Sequence, residues 1–202
     1  MTNKPETINS RDLVYKNDAL TYKRNTDTPF TGIEEFYENG QLKFRWSYID
    51  GKREGLQEIY YEDGPLKYRS NIKNGKREGL QETFYENGQK EFKGNYKNRK
   101  RHGLSEWFHK NGQLKFKWSY TDGVQEGLQE TYYEIGQLYR RANFKKGNEH
   151  GLCEYFDEDG NLTKAQTYEE GELKNPNLQR GDNTKDPVQI PLFEPKPTKR
   201  VN

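Results

Sequence analysis

The sequence predicts an all-β protein, an elongated and twisted antiparallel meander of about six tandem β-hairpin repeats with irregular N- and C-terminal tails. Three observations predict it. Gly40, Gly64, Gly88, Gly112, Gly136 and Gly160 recur every 24 residues, and Gly55, Gly79, Gly103, Gly127 and Gly151 keep the same interval. A third series, Gly51, Gly75, Gly123, Gly147 and Gly171, holds the register too, with Arg99 in the place of its missing member. Between the glycines, apolar and polar residues alternate with period two, which is the signature of strands. Finally, Asn-Gly or Asp-Gly stands at 39–40, 50–51, 63–64, 74–75, 87–88, 111–112, 122–123 and 159–160. These dipeptides tolerate positive φ at both central positions of a type I′ turn, so each is expected to close a two-residue hairpin.

The elements follow in order along the chain. Residues 1–31 precede the repeats, and Val14 to Arg24, turning at Asn17-Asp18, suits a hairpin that covers the first repeat. Residues 32–171 form the array. In the copy from Gly55 to Gly79, Leu56 to Glu62 is one strand, Asp63-Gly64 the turn, and Leu66 to Ile72 the return strand before Asn74-Gly75. Twelve such strands at about 4.8 Å each predict an array on the order of 55 to 60 Å long. Residues 172–202 hold Pro176, Pro187, Pro191, Pro195 and Pro197, which cannot extend a sheet, and form an expected mobile or draped tail with one apolar stretch at Val188, Ile190, Leu192 and Phe193.

Composition alone would favour disorder, with a hydrophobic content of 29% and a mean hydropathy of -1.36. Fifteen tyrosines, ten phenylalanines and three tryptophans at recurring positions supply the missing burial. A net charge of +2 gives no global field for nucleic acid, which is not expected as a partner. The single cysteine, Cys153, stands in the slot of Gln57, Gln81 and Gln129 and reads as a passive half-buried thiol. Met1 to Ser10 contains no apolar run of the kind a secretory leader or membrane anchor needs. The chain as written therefore reads as cytoplasmic, or as secreted or periplasmic where a leader has been removed.

A two-residue turn at Asp63-Gly64 places Glu58 opposite Arg69, and the same rule places Glu34 opposite Arg45, Glu82 opposite Lys93, Glu106 opposite Lys117 and Glu130 opposite Arg141. Glu154 meets Ala165 instead. Opposite charges facing across strands stabilise a sheet by roughly 0.2 to 1 kcal/mol each, so the recurring glutamate has a structural role. Metal binding and acid–base catalysis need clustered carboxylates, and no cofactor, metal site or catalytic residue is expected. The rule also sorts the faces. Ile59, Tyr61, Leu66 and Tyr68, with Leu42, Phe44, Trp46, Leu114, Phe116 and Trp118, form an apolar face, while Phe36, Tyr60, Phe84, Phe108, Tyr132 and Phe156 run beside the charges. His102 and His150 occupy the turn slot of Glu54, Glu78 and Glu126, and the basic run at 97–102 reads as a solvated turn.

The strings Tyr-Glu-Asn-Gly-Gln-Leu-Lys at 37–43, Phe-Tyr-Glu-Asn-Gly-Gln at 84–89, Gly-Asn-Tyr-Lys-Asn at 94–98 and Asn-Gly-Lys-Arg-Glu-Gly at 74–79 resemble the bacterial variant of the MORN repeat, from about Pro29 to Gly171. The resemblance implies tandem β-hairpins, and similar proteins are often labelled the antitoxin component of a toxin–antitoxin system. Lys90, Glu91 and Arg99 depart from the repeat pattern and imply looser packing around them. The function expected is a non-catalytic protein-binding module that masks a partner, a toxin if the family label holds, with Trp46, Tyr61, Tyr85 and Trp118 as candidate contacts. The alternative is a structural or membrane-surface scaffold that self-associates or contacts lipid headgroups. The partner's identity and the oligomeric state are not legible in the chain.

Overall fold

Short strands separated by positive-φ turns build one long sheet here because each strand finds a partner on both sides. A computed structural model describes residues 5–176 of the 202. The repeats supply strands β4 (Gly32–Glu38), β5 (Gln41–Ile49), β6 (Lys52–Tyr60), β7 (Leu66–Lys73), β8 (Lys76–Phe84), β9 (Lys90–Lys97), β10 (Lys100–Phe108), β11 (Leu114–Thr121), β12 (Val124–Tyr132), β13 (Leu138–Lys145), β14 (Asn148–Phe156), β15 (Leu162–Glu169) and β16 (Glu172–Asn175). Each pairs antiparallel with the next in chain order. The meander thus continues through Asn175, into the segment expected as tail. The apolar stretch at 188–193 lies outside the described residues.

The N-terminal segment closes one end in two ways. Strand β1 (Thr7–Asn9) adds to β4 in parallel, with Thr7 opposite Ile33, which the turn rule does not foresee. Strands β2 (Leu13–Tyr15) and β3 (Thr21–Lys23) form a separate hairpin whose turn carries Ala19 at φ 63. That hairpin is tied to the first repeat through a backbone bond from Thr21 N to the Gly51 carbonyl at 2.9 Å, and through Phe30, whose N–H bonds the Thr21 carbonyl at 2.8 Å and whose carbonyl accepts from Gly51 N at 2.8 Å. Leu13, Phe30 and Tyr48 are buried together beneath it, with Ile8 and Trp46 packed alongside, and form the apolar core.

The turns are of two kinds. Asn39-Gly40, Asp50-Gly51, Asn74-Gly75 and Asp122-Gly123 have positive φ at both residues, as type I′ requires. At 63–64, 87–88, 111–112 and 159–160 only the glycine does. There the loop is one residue longer: Tyr61 N bonds the Pro65 carbonyl at 2.9 Å, and Gly64 N the Tyr61 carbonyl at 3.2 Å. This is the three-residue hairpin loop, a type I turn followed by a left-handed residue.

A β-bulge follows in each of the six repeat hairpins. Ile59 pairs with Tyr68 but Tyr60 pairs with Leu66, so Lys67 is left over. The extra loop residue and the extra bulge residue cancel, and Glu58 stands opposite Arg69. In the first hairpin the same bulge, between Phe36 and Tyr37, follows a two-residue turn with nothing to cancel it. Register there shifts by one: Glu35, not Glu34, faces Arg45, and Glu34 faces Trp46.

The bulge also corrects the sorting of faces. Leu66 and Leu114 pair with Tyr60 and Phe108 and join the charged face, as Leu42 does opposite Tyr37. Phe36 moves the other way and stacks on Phe44, with ring centroids 5.3 Å apart. A second irregularity lies at the opposite end of the strands, where Trp46 pairs with Gln57 but Tyr48 with Arg53, around Gly55. Bulges strengthen local twist and bend the strand that carries them.

Candidate partner-binding face

Register assigns a middle row to the aromatic face: Glu34, Trp46, Gln57, Ser70, Gln81, Gly94, Ser105, Trp118, Gln129, Ala142, Cys153 and Gln166. All but the two half-buried tryptophans are buried, with side chains between 0% and 9% exposed. Away from the two tryptophans, small side chains and glutamine suit this line because larger neighbours lean over it. Phe92 shows how: a methyl group on Gly94 would come within 2.5 Å of the Phe92 ring. The glutamines satisfy backbone at the second irregularity, Gln129 Nε2 donating to the Ser119 carbonyl at 3.0 Å. Cys153 is buried in this row, and burial pushes its thiol above the ordinary value.

Of the four aromatic residues expected to touch a partner, the structure does not make one cluster. Trp46 and Trp118 lie on the aromatic face, half-buried and three repeats apart. Trp46 stacks on Phe44 at 3.9 Å, and Trp118 packs with Phe116 at 4.9 Å and with Trp107 at 5.2 Å. Tyr61 and Tyr85 sit at the three-residue loops. Their hydroxyls donate to the carbonyls of Phe84 and Phe108 at 2.7 and 2.8 Å, fastening each repeat to the next, as Tyr133 does to Phe156. Trp107, which the turn rule does not single out, joins Trp118 and Phe92 in the widest aromatic group.

The charged face carries one alternating row. Arg45 lies between Glu35 and Glu58, Arg69 between Glu58 and Glu82, Lys93 between Glu82 and Glu106, Lys117 between Glu106 and Glu130, and Arg141 between Glu130 and Glu154. Contacts close mostly across the repeat junction. Arg69 reaches Glu82 at 2.6 Å, Lys93 reaches Glu106 at 3.8 Å, Lys117 reaches Glu130 at 3.2 Å and Arg141 reaches Glu154 at 2.6 Å. Arg45 contacts both Glu35 and Glu58, at 2.7 and 3.4 Å. The row therefore ties each unit to its neighbour, the interface on which a repeat array depends.

Lys90 adds a second cation to Glu82 at 2.7 Å, and Arg99 donates to the Gly75 carbonyl at 2.7 Å. With Phe92 only 5% exposed, the looser packing expected at this repeat is not what the structure has. Glu34, displaced from the row, is buried on the aromatic face, where it accepts from the Tyr48 hydroxyl at 2.8 Å. The turn slot has a role that the sequence reading missed. Glu54, Glu78 and Glu126 accept the backbone N–H of Asn74, Asn98 and Lys146 in the next turn, at 2.7 to 2.9 Å. His102 in that slot meets the Asp122 carboxylate at 3.2 Å. Recurrence of an acidic residue one repeat before each turn was the available signal.

Tyr60 and Tyr132, beside the charged row, have phenols pushed up to about 12. Burial is the largest cause for both, followed for Tyr60 by the hydrogen bond it donates to Glu58 and for Tyr132 by the charge on Glu130. Because the folded value lies above the ordinary 10.0, the stability these groups contribute is full below pH 10 and is lost as pH rises through about 12. Ultraviolet titration of phenolate should show a late-ionising class, and Glu58→Gln should move one member of it earlier. Ionisation of all tyrosines together with the exposed ones would contradict this arrangement.

Among the described residues no helix is long and apolar enough to cross a membrane. No curated protein matches the chain. The family model for the MORN repeat variant matches residues 32–50, 53–74, 77–98, 101–122, 125–146 and 149–174, six tandem copies that coincide with the hairpins. Repeats of this kind are non-catalytic modules that bind proteins or membranes. Turn register, the sheet of stacked hairpins and the six matched copies agree, and the chain belongs to the MORN repeat variant family.

Proposed function

We propose that this chain is a non-catalytic protein-binding module that holds its partner on the aromatic face, in the manner of an antitoxin that masks a toxin. The observation that carries this reading is the company of half-buried tryptophans with arginines laid over their rings on that face. Arg53 lies 3.4 Å over the Trp46 ring and Arg101 lies 5.0 Å over that of Trp107. Tryptophan, tyrosine and arginine in partly desolvated settings are the side chains that dominate protein–protein binding energy. The charged face is less suited, because its cations are already engaged by carboxylates.

The test compares the wild-type chain with a Trp107→Ala, Trp118→Ala variant as bait in the native host, after thermal unfolding has shown that the variant still folds. A stoichiometric partner held by the wild type and released by the variant supports the aromatic face. Equal recovery by both would place the contact elsewhere. The masking mechanism predicts further that the captured partner arrests growth when expressed alone, and that co-expression of the chain relieves the arrest.

A further inference from the structure

The two faces treat their cations differently. Every cation in the charged row has a carboxylate within ion-pair distance. On the aromatic face, Arg53, Arg77 and Arg101 occupy the same position in three successive repeats, and no ion pair engages any of them among the described residues. Each lies instead against rings: Arg53 over Trp46 at 3.4 Å, Arg77 over Tyr96 at 4.8 Å, and Arg101 near Phe92, Trp107 and Tyr120 at 5.0 to 5.6 Å. Their remaining bonds are to phenols, Arg53 to Tyr48 at 3.2 Å and Arg101 to Tyr120 at 3.4 Å. The next two repeats break the row with Gln125 and Glu149, and Glu149 is taken by Arg140. The buried Glu34 carboxylate accepts from the same Tyr48 hydroxyl that Arg53 bonds, but it makes no ion pair with Arg53, and the three guanidinium groups pre-positioned on aromatic platforms form a binding row for anions.

We propose that this row binds an extended acidic segment of a partner protein, lying along the array in polyproline II conformation with one carboxylate per repeat. The proposal rests on the aromatic face being the partner site. Spacing selects the conformation. Two strands per repeat set successive arginines about 9.6 Å apart. A polyproline II chain rises about 3.1 Å per residue and returns to the same side every third residue, or about 9.3 Å. An α-helix repeats the same side after two turns, at about 10.5 Å, and falls out of step by about 1 Å per repeat. Grooves lined by aromatic rings are also the established setting for extended, proline-rich segments. Carboxylate groups match the planar fork of arginine in two parallel hydrogen bonds.

The full chain is titrated with a labelled peptide of Pro-Pro-Glu triplets, and with a peptide of the same composition that carries glutamate at every fourth residue. The triplet peptide should bind at least about tenfold more tightly. Arg77→Ala with Arg101→Ala should weaken it by about tenfold or more, and Arg77→Lys with Arg101→Lys by less, because charge remains while the forked contact is lost. Unchanged thermal unfolding of both variants shows that the fold is kept. Equal binding of the two peptides, or no effect of removing the arginines, would overturn the proposal. Preference for a helical acidic peptide would do the same. Anionic vesicles, offered to the same variants, give another decisive outcome: arginine-dependent vesicle binding without triplet binding would make the ligand a membrane surface. If the triplet peptide fails while the tryptophan-dependent partner is still captured, the partner site stands and only its proposed chemistry falls.

Discussion

Gly51→Ala is expected to destabilise the protein by about 2 to 4 kcal/mol, while Gly75→Ala, at the equivalent turn one repeat later, is expected to lose only about 1 kcal/mol. Both glycines have positive φ, 74 and 68, and both substitutions incur the left-handed penalty for a residue with a β-carbon. Only Gly51 is enclosed. A β-carbon there would come within 2.9 Å of both the Leu20 β-carbon and the Thr21 carbonyl oxygen, and backbone cannot swing aside as a side chain can. At Gly75 nothing lies within 4 Å. The larger loss should come with release of the β2–β3 hairpin, since the Gly51 carbonyl accepts from Thr21 of that hairpin and the Gly51 N–H holds Phe30, whose own N–H bonds the Thr21 carbonyl. Urea unfolding followed by tryptophan fluorescence measures the pair, because Trp46 packs beside the core under that hairpin. Equal losses at the two positions would mean that the hairpin does not press on the first repeat.

Glu82→Ala is expected to lose about 2 kcal/mol at neutral pH, against less than about 1 kcal/mol for Glu130→Ala. The Glu82 side chain is 4% exposed and takes Arg69 at 2.6 Å and Lys90 at 2.7 Å, whereas the Glu130 side chain, 15% exposed, meets Lys117 at 3.2 Å. Removing one partner of a buried pair can cost more, but Arg69 and Lys90 are 43% and 34% exposed and regain hydration. Burial pushes the Glu82 carboxyl up, and the hydrogen bonds from Lys90 and Arg69 outweigh it, so the net value lies below the ordinary 4.5. A depressed folded value means stability that is present above about 4.5 and lost as pH falls through the lowered one. The gap between wild type and Glu82→Gln should therefore close in acid. A gap that persists below the lowered value would show that the ion pairs are not its source.

Much of the fold was legible because it is local. Glycine spacing fixed the repeat, alternation fixed the strands, and the tight turns fixed which strands are neighbours. The face that carries Glu58, Glu82, Glu106, Glu130 and Glu154 follows from the same arithmetic. Even the mistaken turn type left the register of five hairpins intact, since a longer loop and a bulge offset one another. The first hairpin exposes the hidden pair of errors, because it keeps the bulge without the longer loop and delivers Glu35 to Arg45. No dipeptide signals that bulge.

The proposed partner face was less legible. Tyr61 and Tyr85 look like exposed handles in the sequence, yet their hydroxyls are spent on carbonyls 23 residues ahead. Arg53, Arg77 and Arg101 look like ordinary turn cations beside Lys52, Lys76 and Lys100. Alternation alone puts the arginines and lysines on opposite sides, but which cations are left without an ion pair depends on the whole row.

By itself the sequence determined the period, the strand-and-turn order and the alternation of charge along one face, since each is set by residues only a few positions apart. Tertiary structure alone decided that the ion pairs close across repeat junctions, that Glu34 leaves the row for a buried bond to Tyr48, and that three arginines rest on rings with no ion pair among the described residues. Those outcomes depend on side chains from successive units meeting in space, and bulges shift such meetings by one residue without leaving a local mark.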